Sequence, residues 1–420
     1  MTKKTIISIY AVLVCCAPIF GQTTFKAMFY NVLNYPDQGP ANRIDNLDVI
    51  LLDFQPDIFM ACEINTIQGS NDILNALQNV KSEFSAANFV TNTSDDMSGN
   101  QNDFQNMLYY DSSKFILEAQ TEITTIFRDF NHYTLKLNTV DQATNPIILN
   151  VIVCHLKSSS GVDNQNLRLQ MVNDLVAYME SWPSDELVLL GGDLNLYTSS
   201  ESAFQELLDS SNNITFTDPA NRIGSWHNNS SFIDVFTQST RTQSGMGGAT
   251  GGFDDRFDFI LTSQNMLTSP DLYYVDTSYK VYGNNGTVSC YNQEINSTNC
   301  AGTDYDQTIR DALYFMSDHL PVTVELQTNE VLLSIEEFQT TTALNFLGSN
   351  LVDDHVIFQM QPTQINFKSI KIFNALGQEI GTYTIEHLNQ LKINVSNWSK
   401  GLYYVVTSNN AIKPLKFIKK

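Results

Sequence analysis

Basic residues are scarce in this sequence. Its 420 residues hold 23 Lys and Arg against 45 Asp and Glu, a formal net charge of −22. That imbalance excludes a protein held to nucleic acid by a broad basic face, because such binding releases counterions through clustered Lys and Arg. It does not exclude an enzyme that meets phosphates through a bound cation. Charged residues of both signs make up only 16% and hydrophobic residues 42%, so the chain buries a sizeable core and is no disordered tail. Cys-x-x-Cys is absent, which removes the usual ligand spacing of a structural zinc site. Repeats are absent too, which excludes solenoids and coiled coils. Beyond the N-terminus no apolar run reaches the roughly 20 residues that span a bilayer, so no membrane span is expected.

What is present begins with Lys3 and Lys4, followed by an apolar run from Ile6 to Cys16 and then Ala17-Pro18-Ile19-Phe20-Gly21. The pattern predicts a secretory signal over residues 1–21 and a mature chain from about Gln22. Val14 stands where a small residue normally precedes a lipid-modified cysteine, so Cys15 and Cys16 are not read as a lipid anchor. Export permits a disulfide between Cys290 and Cys300, which bracket a polar loop. Cys62 and Cys154, in FMACEI and VIVCHL, read as buried free thiols.

From Thr24 to about Leu326, apolar strand-like runs alternate with amphipathic helices. TFKAMFYNVLN reads as a strand, and NRIDNLDVILLDF follows as a helix with Ile44, Leu47, Leu51 and Phe54 on one face. DIFMACEI is a second strand, and Ser70 reads as the cap of the next helix. FQNMLYY, NPIILNVIVCHL, ELVLLGGDLN, RFDFILT and HLPVTVEL are further strands, with a helix over Asp163–Glu180. Runs this dense imply sheets covered by helices. After about Thr328 the pattern becomes short period-two strands around Gly377, Gly381 and Gly401, an all-β module. The expected organisation is a signal over 1–21, a main domain over 22–328 and a β domain over 329–420.

Polar residues recur where apolar runs end, and strand ends are where α/β proteins bind ligands. Asn31 follows AMFY, Glu63 follows IFMAC, and His155 follows LNVIVC. Asp193 and Asn195 follow LVLLGG, Asp318 and His319 precede LPVTVEL, and Asp258 lies within RFDFIL. Each alone has a bland reading as a turn former, a cap or a satisfied core residue. Together, at the ends of successive apolar runs, they are much harder to dismiss.

YNVLN, ACEI, CHLKSSSG, GGDLN, RFDFIL and SDHLPV, in this order, resemble the successive motifs of the endonuclease/exonuclease/phosphatase (DNase I-like) superfamily. The resemblance covers about residues 24–326. It implies a four-layer α/β/β/α sandwich with the site at one edge of its two sheets. It further implies a divalent ion, Mg2+ or else Mn2+ or Ca2+, on Glu63 with Asn31 and Asp318. His319 is then the general base and Asp258 its orienting partner, with Asp193, Asn195 and His155 around the scissile phosphate. Asn31, Asn195 and Arg168 would contact substrate, although Arg168 in NLRLQ also suits a brace for the His155 loop. In the family a Glu pairs with the histidine matching His155; here the nearby acid is Asp103. The C-terminal pieces IKIFNALGQEI, INVSNWSKGLYYV and KFIKK resemble the sorting domain of the type IX secretion system.

Two loops remain. SGMGGATGGFDD reads as a flexible rim in preference to a phosphate cradle, since no helix begins there. Trp226 and His227, in GSWHNNS, could contact substrate from another rim loop, and a solvated loop with an incidental aromatic fits them equally. The expected protein is a secreted monomer, extracellular or at the cell surface, that meets the secretion machinery through its tail. Its expected activity is metal-dependent hydrolysis of nucleic acid, chiefly DNA. The alternatives are a phospholipid or sugar-phosphate substrate for the same fold, or a surface binding module without turnover.

Overall fold

The structure is a computed structural model that describes residues 22–94, 104–333, 344–360, 368–385, 389–407 and 414–420. The signal-like segment 1–21 and Asp103 lie outside the described residues. The chain divides into two compact units, Met1–Leu333 and Ser334–Lys420. The first unit extends past Thr328 because the Val140 amide donates to the Val331 carbonyl and Leu333 donates to Asn138.

In chain order the strands of the first unit are β1 (Thr23–Tyr35), β2 (Ile58–Ile64), β3 (Phe84–Ala86), β4 (Gln105–Asp111), β5 (Phe115–Ile123), β6 (Phe130–Leu137) and β7 (Ile148–His155). They continue with β8 (Leu187–Asp193), β9 (Phe216–Thr217), β10 (Asp258–Ser263), β11 (Tyr273–Tyr274), β12 (Lys280–Val281) and β13 (Val322–Thr328). One sheet runs β11-β13-β1-β2-β4-β3, with β12 also on β13, and the other runs β5-β6-β7-β8-β10-β9. The helices are α1 (Arg43–Phe54), α2 (Ile67–Val80), α3 (Val162–Met179), α4 (Ser202–Leu207) and α5 (Gln307–Met316).

Side-chain alternation explains the layering. In β7, Leu149, Val151 and Val153 join the core between the sheets, while Ile152 and Cys154 join a second core beneath α3 and α4. β10 repeats this, with Ile260 inward and Phe259 and Leu261 outward. A strand buried on both faces must be apolar at every position, hence the unbroken runs in the sequence. Leu47 and Ile50 of α1, Ile73 and Leu77 of α2, and Leu313 of α5 cover the first sheet. The result is the four-layer α/β/β/α sandwich. Gly191 shows how close the sheets come, since a Cβ there would lie 2.7 Å from the Met60 sulfur of the opposite sheet.

Local readings needed three changes. The cap of α2 is Thr66, whose side chain accepts from the Gly69 amide, one turn before Ser70. Ser70 is buried and hydrogen-bonds Tyr109 instead. The β5–β6 pair and α5 had no clear signal: β5 (FILEAQTEI) is an edge strand with exposed polar positions.

Cys290 and Cys300 form a disulfide, and Cys62 and Cys154 are free and buried. With a sequence separation of 10 between the cysteines, replacing both by serine is expected to cost about 2–3 kcal/mol. A lower urea midpoint with unchanged activity per folded molecule would show it. In the second unit, a three-stranded and a five-stranded sheet enclose Val356, Phe358, Ile370, Ile372, Val405 and Phe417, a small β-sandwich.

Candidate active site

Strand direction sets the site. β1 and β2 are parallel, as are β7 and β8, so Asn31, Glu63, His155 and Asp193 fall toward the ends of their strands. β10 runs antiparallel to β8 and places its first residue, Asp258, opposite Asp193. β13 runs antiparallel to β1, which puts Asp318 and His319 just before its start at the same edge. Both sheets thus deliver polar residues to one place.

Local backbone detail aims the side chains. The pairing of β2 with β4 skips between Ala61 and Ile64, a bulge at which Glu63 takes φ 62°. Asn195 takes φ 51° just beyond β8. Left-handed conformations at non-glycine residues cost about 1–3 kcal/mol each and cluster at functional sites.

The side chains meet. Asn31 Nδ2 donates to Glu63 Oε1 (2.9 Å) and Asp193 Oδ2 (3.0 Å), tying the two sheets together. Asn34 donates its amide to Glu63 Oε2 at 2.9 Å. His319 Nδ1 lies 2.7 Å from Asp258 Oδ2, and its Nε2 lies 2.5 Å from the Gln238 amide nitrogen and 3.8 Å from Asp193 Oδ2. His155 Nε2 is 3.5 Å from Asp193 Oδ2, and its Nδ1 is 3.9 Å from Glu63 Oε1 with no hydrogen-bond partner. Asn195 turns its amide onto Asp193 Oδ1 at 2.8 Å. Asp318 Oδ2 accepts from Gln238 and the Ala249 amide, while its Oδ1 is buried without a hydrogen bond.

Burial shapes the charge states. Desolvation and the nearby Asp318 push the Glu63 carboxyl up, against the Asn31 hydrogen bond, His319 and Arg128. Desolvation likewise raises Asp193, with Asp258 and Glu63 adding to it. Desolvation disfavours charge on His319, but Asp258, Asp318 and Asp193 outweigh it and raise its pKa. His155 goes the other way: burial, then Arg128, His319 and Lys157, hold it neutral.

Eight of the nine residues named from sequence converge here. Arg168 does not reach the site. It is fully buried, its Nε and Nη2 on Glu201 (3.0 and 2.7 Å) and its Nη1 on the Lys157 and Ser159 carbonyls. Its donors are committed to bracing the loop after His155, so it is not a substrate-binding residue. Trp226 is also a correction: it is fully buried against Phe204, Phe259 and Arg256, and only His227 is exposed, bonded to Asp255. The family-like acid partner for His155 is Asp103, which is not among the described residues; Glu63 and Asp193 are the carboxylates beside this imidazole.

Sequence reasoning missed Gln238, Ser317 and Arg128. Gln238 touches both Asp318 and His319. Ser317 donates to the Asn31 carbonyl (2.7 Å) and accepts the His319 amide (3.1 Å), hooking the base segment onto β1. Arg128 stacks between Phe104 and Phe127 and donates to the Leu156 carbonyl. Only Ser317 had a signal, its place directly before Asp318-His319.

Among the described residues, Glu63, His155 and Asp193 bring ligand atoms within 4.8 Å of one another, as do Asp193, Asp258 and His319. The oxygen-rich set, the surplus of buried carboxylates and the unpartnered Asp318 Oδ1 fit a hard divalent cation. Asn31 faces the carboxylates with its nitrogen, while its oxygen accepts from the Leu33 amide, so as placed it braces ligands. A cavity of about 450 Å³ lined by residues including Asp234, Asp276 and Tyr305 holds none of these side chains.

Comparison with known proteins adds the following. Residues 350–420 match the family model described as the secretion system C-terminal sorting domain. The chain is exported, to the outside or surface of the cell. No curated protein matches it. The similar solved structures include Danio rerio TDP2 complexed with a single-strand DNA product (14% identity, 73% of this chain, 100% of that chain, TM-score 0.47). They also include the human Nocturnin catalytic domain with bound sulfate (14%, 74% and 98%, TM-score 0.44). A third is an endonuclease/exonuclease/phosphatase from Bacteroides vulgatus (13%, 73% and 99%, TM-score 0.45). Among the described residues no helix is long and apolar enough to cross a membrane.

Proposed function

We propose that the chain is a secreted, divalent-metal-dependent phosphodiesterase that hydrolyses nucleic acid, with DNA as the principal substrate. The observation that carries this reading is the joined set at the sheet edge, above all the 2.7 Å contact of His319 with Asp258 beside Asp193, Glu63 and Asn31. Phosphodiesters resist attack because they are anionic and their leaving oxygen is poor, so a site must neutralise charge and activate water.

Glu63 would hold the ion, with Asp318 Oδ1 available as a second oxygen. When bound, the ion would neutralise phosphate charge and polarise the phosphoryl group. His319 takes a proton from water at Nε2, while Nδ1 donates to Asp258, which fixes the tautomer and supports the imidazolium. The oxygen of that water attacks phosphorus, the opposite P–O bond breaks, and the released oxygen departs as an alcohol after taking a proton from solvent, to which His319 later returns the proton it accepted. Neutral His155 donates to a non-bridging phosphoryl oxygen, a role its depressed pKa suits better than giving up a proton. Asn195 holds Asp193 through its side-chain amide, and it would reach a phosphoryl oxygen by giving up its longer contact with the Leu156 carbonyl (3.4 Å).

Incubating the purified full chain with plasmid, linear DNA, RNA, sphingomyelin and a chromogenic phosphodiester, with Mg2+ or with chelator, tests the reading. DNA breakdown that requires metal is the expected result. Turnover of lipid alone would replace the nucleic-acid assignment, and no turnover of any phosphodiester with metal present would end the catalytic one.

A further inference from the structure

Glycine-rich chain from Gly245 to Gly252 folds against the site. Four of its backbone carbonyls and amides are fixed: Ser239 Oγ donates to the Ala249 carbonyl (2.8 Å), Arg241 Nη1 to the Met246 carbonyl (3.3 Å), and the Gly252 amide to the Arg241 carbonyl (3.0 Å), while the Gly252 carbonyl accepts from the Ser239 amide (2.9 Å). The loop is therefore anchored on segment 238–241, the segment whose Gln238 touches His319. This corrects the reading of a flexible rim. The Ala249 amide points at Asp318 Oδ2 from 2.6 Å, so the loop cradles a carboxylate of the protein itself.

We propose that this loop is a clamp that sets Asp318 in its metal-binding orientation, with Gly248 and the Ala249 amide as its positioning elements. The inference rests on the metal-dependent reading of the site. Two donors, Ala249 N and Gln238 Nε2 (3.2 Å), occupy Oδ2 and leave Oδ1 buried without a hydrogen bond. A carboxylate held by one oxygen presents the other, and the ordering cost is met in folding before any ion arrives. The clamp also holds Oδ2 4.0 Å from His319 Nε2, so the base keeps Asp258 as its close partner. Gly248 makes the approach possible: it takes φ +72°, and a Cβ there would lie 2.5 Å from both Cγ and Oδ2 of Asp318.

Gly245 supplies the control. Its φ is also positive (+106°), but a Cβ there meets nothing within 4 Å. Gly248→Ala and Gly245→Ala therefore share backbone strain and differ in the collision with Asp318. Divalent-ion affinity of the full chain is measured by titration calorimetry with Mg2+ and Mn2+, beside circular dichroism and a metal titration of activity. For Gly248→Ala the expected affinity loss is about tenfold or more, the range for positions that orient metal ligands. Its activity is expected to recover in part at high metal, and Gly245→Ala to bind within about twofold of the parent, well short of that loss. Should Gly248→Ala fail to fold, Ser239→Ala, which removes the hydroxyl holding the Ala249 carbonyl, is expected to weaken binding by a smaller factor. Parent-like affinity in Ser239→Ala and in any folded Gly248→Ala overturns the clamp, as does an equal loss in Gly245→Ala. If the parent chain binds neither ion, the metal-dependent reading fails and the clamp fails with it; a parent that binds while the variants do not differ removes the clamp alone.

Discussion

His319→Ala is expected to lower kcat on DNA by about 10²–10⁴-fold, the usual contribution of a positioned general base. The imidazole is 3% exposed and lies 2.7 Å from Asp258 through Nδ1. Its Nε2 faces the place where Asn31, Asp193 and Gln238 meet. Removing the ring takes away the proton acceptor and leaves the Asp258 carboxylate buried without the Nδ1 donor that pairs with it. Loss of one partner of a buried pair costs about 3–5 kcal/mol, so the variant is expected to melt earlier as well. Stability and catalysis separate in the measurement. Turnover per folded molecule is read well below the melting transition, and added imidazole is expected to restore part of it by entering the vacated space. Near-normal turnover of the folded variant would remove His319 from the mechanism. A loss that tracks melting, with no rescue, would make the ring a structural partner of Asp258.

The layers and the site edge were legible in the sequence for one reason: strands buried on both faces must be apolar throughout, so a polar residue at their end stands out. β7 and β8 are apolar until His155 and Asp193, and β10 opens on Asp258 before Phe259, Ile260 and Leu261. What was not legible came from groups whose roles depend on tertiary contact. Arg168 and Trp226 carry residue types that suit substrate binding, yet both are fully buried and bonded internally. Gln238 lies in the loop that leads to β10, with no period to mark it, and matters only because the fold brings Asp318 and His319 to its amide. The glycine-rich loop misled for the opposite reason. Composition alone suggests freedom, but the hydrogen bonds from Ser239 and Arg241 remove it. β5 was hidden by edge position, where one face is wet and the apolar signal thins, whereas β6 is an inner strand whose apolar run is broken by Asn131, His132 and Thr134.

Glu63→Gln is expected to lose nearly all activity while leaving the metal-free protein as stable as the parent, or more so. Glu63 is buried close to Asp193, and burial with the Asp318 charge pushes its carboxyl up. In the metal-free state its negative charge is therefore a net cost to the fold. The isosteric amide removes that charge but keeps an oxygen that accepts from Asn31 or from the Asn34 amide. For a unit of this size each kcal/mol relieved raises the melting temperature by about 2–4 °C. Divalent ion inverts the comparison. A ligand that binds only the folded state stabilises by mass action, so Mg2+ or Mn2+ is expected to raise the melting temperature of the parent and to do so far less for Glu63→Gln. The two proteins should then exchange rank between chelator and metal, with activity present in the parent alone. Melting curves of both variants in chelator and in a metal series decide it. If Glu63→Gln melts well below the parent in chelator, the carboxylate is a structural anchor and the crowding of charge at this edge is not waiting for a cation. If the exchange of rank occurs, the sheet edge holds a charge arrangement that folding alone leaves unbalanced and that a bound ion completes.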